Sequence, residues 1–112
     1  MRRRIISAFS HSLAGFQAAW DSEEAVKVEL ALLGPLVMVA LYLGNSGLER
    51  AVLIGSLLLI LIVELLNTAI EKTTDRISRE QHPLSKKIKD MGSAAVLGAI
   101  INALVVWALI LL

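Results

Sequence analysis

The chain has 112 residues, of which 56% are hydrophobic and 19% charged, and its mean hydropathy is +0.71. A domain this small has little interior in which to hide so much apolar side chain, which argues against an ordinary soluble domain and against disorder. The lack of cysteine excludes disulfides, zinc–thiolate sites and thiol catalysis, and a net charge of +1 gives no reason to expect nucleic acid as a partner.

The first predicted element is an amphipathic helix over about residues 5–22. Ile5, Phe9, Leu13, Phe16 and Trp20 recur at helical spacing on one face, while Ser7, Ser10, His11 and Gln17 interrupt the others. Arginine at one end and tryptophan at the other suit a helix lying on a membrane surface, although the same stripe would also pack on the protein's own helices. A cleavable signal is a poor match, because residues 5–20 lack a continuous apolar core.

Three membrane spans are predicted after it. Residues 30–48, between Glu29 and Glu49, carry no charge, and the first span is placed at about 28–46, with Gly34-Pro35 as a candidate kink and Asn45-Ser46-Gly47 as the turn that ends it. The second covers about 51–70 and is long enough to cross, yet it contains Glu64 and Asn67. The third covers 91–112 without a charge. Ten of the eleven Lys and Arg residues precede the first span or lie between the second and third, and only Arg50 falls in the other turn. Positive residues stay on the cytoplasmic side, so the N-terminus and the 72–90 connection are expected there, with the 45–50 turn and the C-terminus facing outward. The expected fold is all-α, a surface helix followed by three transmembrane helices in a single 112-residue domain.

The segment VELLNTAIEKTTDRIS, residues 63–78, carries the chemistry. Glu64, Asn67, Glu71 and Asp75 stand at i, i+3, i+7 and i+11, within an arc of about 80° on one helix face and along a stripe about 16 Å long. A carboxylate at membrane depth costs a few kcal/mol or more unless it is paired, protonated or solvated. Glu64 is therefore either a structural acid bonded to a neighbouring helix or a functional group, and a polar column leading from it towards the basic side favours function. Asp75, with Arg76 and Arg79 nearby, also reads as a solvated ion-pair residue.

No P-loop is present, nor are the signature motifs of protein kinases, and His11 and His82 form no zinc-protease or di-iron spacing. Acidic oxygen ligands suit Mg²⁺, which keeps waters and bridges phosphates. Glu71 is one candidate ligand, and Glu23 is a second or else a solvated acid beside Glu24. In the segment HPLSKKIKDMGSAAVLGAI, residues 82–100, Pro83 breaks the preceding helix and Ser85 is the predicted cap of the next. Lys86 and Lys87 read as a positive collar. Lys89 is a candidate phosphate ligand, and Asp90 a partner for a nucleotide or a lysine. The small residues Gly92, Ala94, Ala95, Gly98 and Ala99 read as a close-packing surface, and Ser93 as a candidate headgroup contact.

Together the stretches VELLNTAIEKTTDRIS and HPLSKKIKDMGSAAV resemble the prokaryotic diacylglycerol kinase family of small integral membrane lipid kinases. The resemblance covers nearly the whole chain, including an N-terminal helix ending FQAAW. KDMGSAA is closer to this branch than to the undecaprenol kinases, which share the first motif. It implies transfer of the ATP γ-phosphate to 1,2-diacyl-sn-glycerol, giving phosphatidic acid, in a bacterial inner membrane. It also implies a homotrimer whose active sites are shared between protomers. Glu64 matches the family's catalytic base, and Glu71 and Glu23 its metal and ATP ligands. Lys89, Asp90 and the segment Glu80-Gln81-His82 match nucleotide-binding positions. Arg4 matches a position near the phosphates and lipid, and Ser93 one near the lipid. Asn67 and Asp75 match polar positions that keep the site intact. His11, a candidate nucleotide contact, stands where relatives often carry tyrosine, Ser7 where they carry a basic residue, and Gln81 where they carry an aromatic one. Apart from the resemblance, the polar stripe also suits a small proton-coupled transport subunit or a non-catalytic assembly factor.

Overall fold

The computed structural model describes residues 1–22, 24–77 and 82–112, and these are helical almost throughout. Helix α1 runs Arg2–Ser22, α2 Glu24–Leu43, α3 Gly47–Ile77 and α4 Pro83–Leu111. The last three are each long and apolar enough to cross a membrane. The 31 residues of α3 extend about 46 Å, well beyond a ~30 Å hydrocarbon layer, and its surplus is the polar end bearing Glu71 and Asp75.

The helices outrun the apolar segments. α1 begins at Arg2 rather than near residue 5, α3 runs 47–77 around the 51–70 span, and α4 starts at Pro83, ahead of the 91–112 span. Hydropathy marks only what lipid accepts, whereas Glu, Lys and Arg continue a backbone hydrogen-bond ladder at little cost. α2 stays one helix through Pro35 and stops at Leu43, short of the expected 46.

The turn after α2 explains that early stop. Ser46 Oγ accepts from the Glu49 N–H at 3.1 Å, and Glu49 Oε1 accepts from the Asn45 N–H at 3.1 Å. This reciprocal cap starts α3 at Gly47, so Gly47 belongs to the helix and not to the turn. Arg50 folds back and its Nε donates to the Leu41 carbonyl at 3.1 Å, satisfying an open acceptor at the end of α2. A β-carbon on Gly44 would meet Arg50 Cγ at 2.5 Å, so glycine there admits the arginine.

The cap of α4 is His82 and not Ser85. His82 is extended (φ −118°, ψ 137°), and its Nδ1 accepts from the Leu84 N–H at 3.0 Å. Pro83 forces this choice. Its ring presets the first helical residue, lacks an N–H to satisfy, and keeps the preceding residue extended, which leaves Ser85 inside the first turn.

α3 and α4 form the central antiparallel pair. Trp107 Nε1 donates to Ser56 Oγ at 3.1 Å and to the Leu53 carbonyl at 3.3 Å, and far along the same pair Lys89 Nζ donates to Asp75 Oδ1 at 2.6 Å. The buried face of α3 comprises Leu53, Ser56, Leu57, Glu64, Asn67, Thr68 and Thr74, against Gly92, Ala99 and Ala103 of α4. Small residues on α4 let the backbones approach closely. α2 packs on α3 with Val26 and Ala40 buried, while α1 touches α2 only lightly. The α1 residues Ile5, Phe9, Leu13, Phe16 and Trp20 all remain exposed, so the stripe is not spent on the chain's own helices. Lys27 Nζ stands 5.9 Å from the centroid of the Trp20 ring, a cation–π contact joining α1 to α2.

Trp107→Phe removes the donor to Ser56 and Leu53 while keeping most of the ring's packing. It is expected to lower stability in detergent micelles by about 1 kcal/mol, read as a lower unfolding midpoint. An unchanged midpoint would show that the bond contributes nothing.

Candidate functional site

The acidic stripe is graded along α3. Glu64 and Asn67 are each only 8% exposed, Glu71 is half-buried, and Asp75 is exposed. One continuous helix therefore carries polar groups from a protein-lined depth out to an open end. Asn67 Nδ2 donates to Glu71 Oε1 at 3.4 Å, one turn along the helix. Asn67 Oδ1 is buried with no hydrogen-bond partner among the described residues. Thr74 bonds backward to the Ile70 carbonyl at 2.8 Å, so its hydroxyl is satisfied inside the helix.

Helix α4 adds the cationic side. The contact between Lys89 and Asp75 joins the open end of the stripe to the start of α4, with both side chains roughly half exposed. Asp75 thus pairs with a lysine of the next helix. Asp90 pairs with Lys86 at 2.6 Å, an exposed i,i+4 contact. Ser93 is exposed one turn further on.

One acid was missed by the sequence reading, which treated Glu29 only as the edge of a span. In the structure Glu29 Oε2 is buried without a hydrogen-bond partner among the described residues. The signal was present, since Glu29 sits among the apolar residues of VELAL just inside α2. An acid one turn inside an apolar helix deserves the suspicion given to Glu64.

Beside the stripe, α1 and α3 enclose a groove of about 400 Å³, lined by Ser12, Gly15, Phe16, Thr68, Ala69 and Lys72 among others. Its walls are mostly apolar, with Thr68 one turn from Glu64 and Lys72 beside Glu71 in sequence. Arg4 and His11 are exposed on α1. His82 serves as the α4 cap. Glu23, Glu80 and Gln81 lie outside the described residues.

Among the described residues no three His, Cys, Asp or Glu side chains cluster as a closed metal cage. Glu71 offers a single half-buried carboxylate, which accepts from Asn67 Nδ2. Such an open donor set fits Mg²⁺, which takes one or two carboxylates and completes its shell with phosphate oxygens and water.

The sequence profile of the family described as prokaryotic diacylglycerol kinase matches residues 10–111. The chain belongs to the prokaryotic diacylglycerol kinase family. A diacylglycerol kinase of Pseudomonas aeruginosa is 53% identical over 110 residues, covering 98% of this chain and 89% of the relative. That of Escherichia coli is 46% identical over 108 residues, covering 96% and 88%. A more distant one, from Helicobacter pylori, is 38% identical over 110 residues, covering 98% and 86%. Membership makes this chain a kinase of the diacylglycerol kinase family, and its three apolar helices make it a membrane protein.

Because His82 caps α4 through Nδ1, His82→Ala should leave the Leu84 amide uncapped. Hydrogen exchange at Leu84 is expected to quicken about fivefold, from a cap worth ~1 kcal/mol, and His82→Asn should restore most of the protection. Equal exchange in all three chains would refute the cap.

Proposed function

We propose that this chain transfers the γ-phosphoryl group of ATP to the free hydroxyl of 1,2-diacyl-sn-glycerol, forming phosphatidic acid and ADP at the cytoplasmic face of a bacterial inner membrane. The observation that carries this reading is the graded stripe from buried Glu64 to open Asp75, in a chain of the diacylglycerol kinase family. Diacylglycerol keeps its acyl chains in the bilayer and presents its hydroxyl near the headgroup boundary. The groove between α1 and α3 is apolar and open, with Thr68 on its wall one turn from Glu64, which suits a lipid entering from the side. The exposed apolar stripe of α1 suits a helix that lies on the bilayer and flanks that entrance.

In this mechanism the lipid hydroxyl oxygen attacks the γ-phosphorus, its proton passes to the Glu64 carboxylate, and the bond to ADP breaks. Lys89 faces the phosphate oxygens, its ammonium held at the site by Asp75. Glu71 and Glu23 would hold Mg²⁺, which when bound supplies charge neutralisation at the phosphates. Asn67 holds the Glu71 carboxylate through its amide. Arg4, His11, Asp90 and the segment Glu80-Gln81-His82 attend the nucleotide, and Arg4 and Ser93 the lipid headgroup. The N-terminus and the connection before α4 lie in the cytoplasm, and the C-terminus faces outward.

The site is completed in a homotrimer by residues of neighbouring protomers. Four helices of one chain offer few groups with which to enclose both ATP and a lipid, and the large apolar side chains left exposed on α2 and α4, such as Met38, Leu104 and Leu109, suit lipid or further helices.

Glu64→Gln should cost about 10²–10⁴-fold in turnover with fold and assembly intact, measured in mixed micelles with Mg-ATP and diacylglycerol. Activity within a few-fold of wild type would remove Glu64 as the base. In the same assay, preferential phosphorylation of undecaprenol would overturn the substrate, and ATP-independent proton flux without lipid turnover would overturn the reaction.

The shared site has its own test. Inactive Glu23→Ala and inactive Glu64→Gln chains, mixed before assembly, are expected to recover part of the wild-type activity, because some interfaces then join two intact partners. Zero recovery in cross-linked mixed trimers would show that each protomer holds its own complete site.

A further inference from the structure

Asn67 is buried on the face of α3 that packs against Gly92 of α4. Its Nδ2 donates to Glu71, which accepts only, so the amide oxygen must turn the other way. Turned so, Oδ1 is buried, without a hydrogen-bond partner among the described residues, and directed at α4. It occupies the place where a β-carbon of residue 92 would stand, and that carbon would also lie 3.2 Å from Asn67 Cγ. Gly55 and Gly98, on the same two helices, differ: a β-carbon on either would meet nothing within 4 Å. General close packing of small residues therefore does not account for glycine at 92.

We propose that Gly92 is a positioning residue for the nucleotide site: the space left by its missing side chain holds the Asn67 amide, and the amide aims the Glu71 carboxylate. Alanine at 92 collides with the far end of a side chain and not with backbone. The helix pair survives while Asn67 swings away, and Nδ2 leaves Glu71. Glu71 then rotates freely, and the group meant to face the phosphates and their metal ion loses its set direction. The inference rests on the assignment of Glu71 to the Mg-ATP site and adds the chain of contacts from α4 that orients it.

The experiment is a double-mutant cycle on the full-length chain in micelles, comparing Gly92→Ala, Asn67→Ala and the double variant. For Gly92→Ala the KM for Mg-ATP is expected to rise about tenfold with the KM for diacylglycerol unchanged, the scale of a lost hydrogen bond to a charged group. In unfolding measurements the double variant should be no less stable than Asn67→Ala, because the added methyl fills the space that the amide vacates. If Gly92→Ala alone fails to fold, the double variant should fold again. A wild-type KM for Mg-ATP in Gly92→Ala, an equal rise in both KM values, or strictly additive stability losses would each overturn the proposal, as would a double variant that does not fold. If the wild-type chain fails to phosphorylate diacylglycerol, the kinase reading falls, and the coupling in stability between positions 67 and 92 still decides whether Gly92 makes room for the amide.

Discussion

The structure depends on bringing buried polar side chains of α3 against a helix that can come close enough to cover them. Glu64, Asn67 and Thr68 lie on the buried face of α3, where each polar group costs stability unless it is partnered. A large side chain opposite them would either collide or leave gaps. α4 meets this constraint with Gly92, Ala99 and Ala103, and fixes the register at both ends with Trp107 on Ser56 and Lys89 on Asp75. Once that register is set, the acidic stripe of α3 and the basic start of α4 necessarily end up side by side.

This arrangement divides α3 into two functional lengths. The half near Leu53 and Leu57 is ordinary helix packing with one indole hydrogen bond. The half from Glu64 onward is a polar face partly covered by α4 and partly left open towards α1. The polar half is tolerated because the apolar half and α4 hold it in place. The same logic separates the roles of the lysines: Lys89 reaches across to the stripe, while Lys86 remains with Asp90 on its own helix.

The outer surface is of a different kind. α2 and α4 present large apolar side chains outward, and α1 keeps its aromatic stripe exposed. In water such a surface would be costly, whereas in a bilayer it matches the solvent. The interior can then be small and partly polar, because burying apolar area no longer has to carry the fold. Hydrogen bonds, close backbone contact and caps such as those at Ser46 and His82 carry more of it instead.

The number of helices, the spans and the shared face of Glu64, Asn67, Glu71 and Asp75 were legible in the sequence, because they follow from hydropathy and the helical period within one segment. So was the family, through motifs that are contiguous in the chain. Local competition was less legible: Ser85 looked like the cap, but Pro83 pinned that role on His82. Contacts between segments were not legible at all. Glu29 looked like the boundary of a span until α2 packed beside α3 and its carboxylate was buried. Gly92 looked like one more small residue until the register of α3 and α4 put it against Asn67. Periodicity orders the residues of one helix about its own axis, but it carries no information on how far another helix slides or turns against it. That is fixed by side-chain shape and by the few hydrogen bonds that cross between helices, and only the tertiary structure decides them.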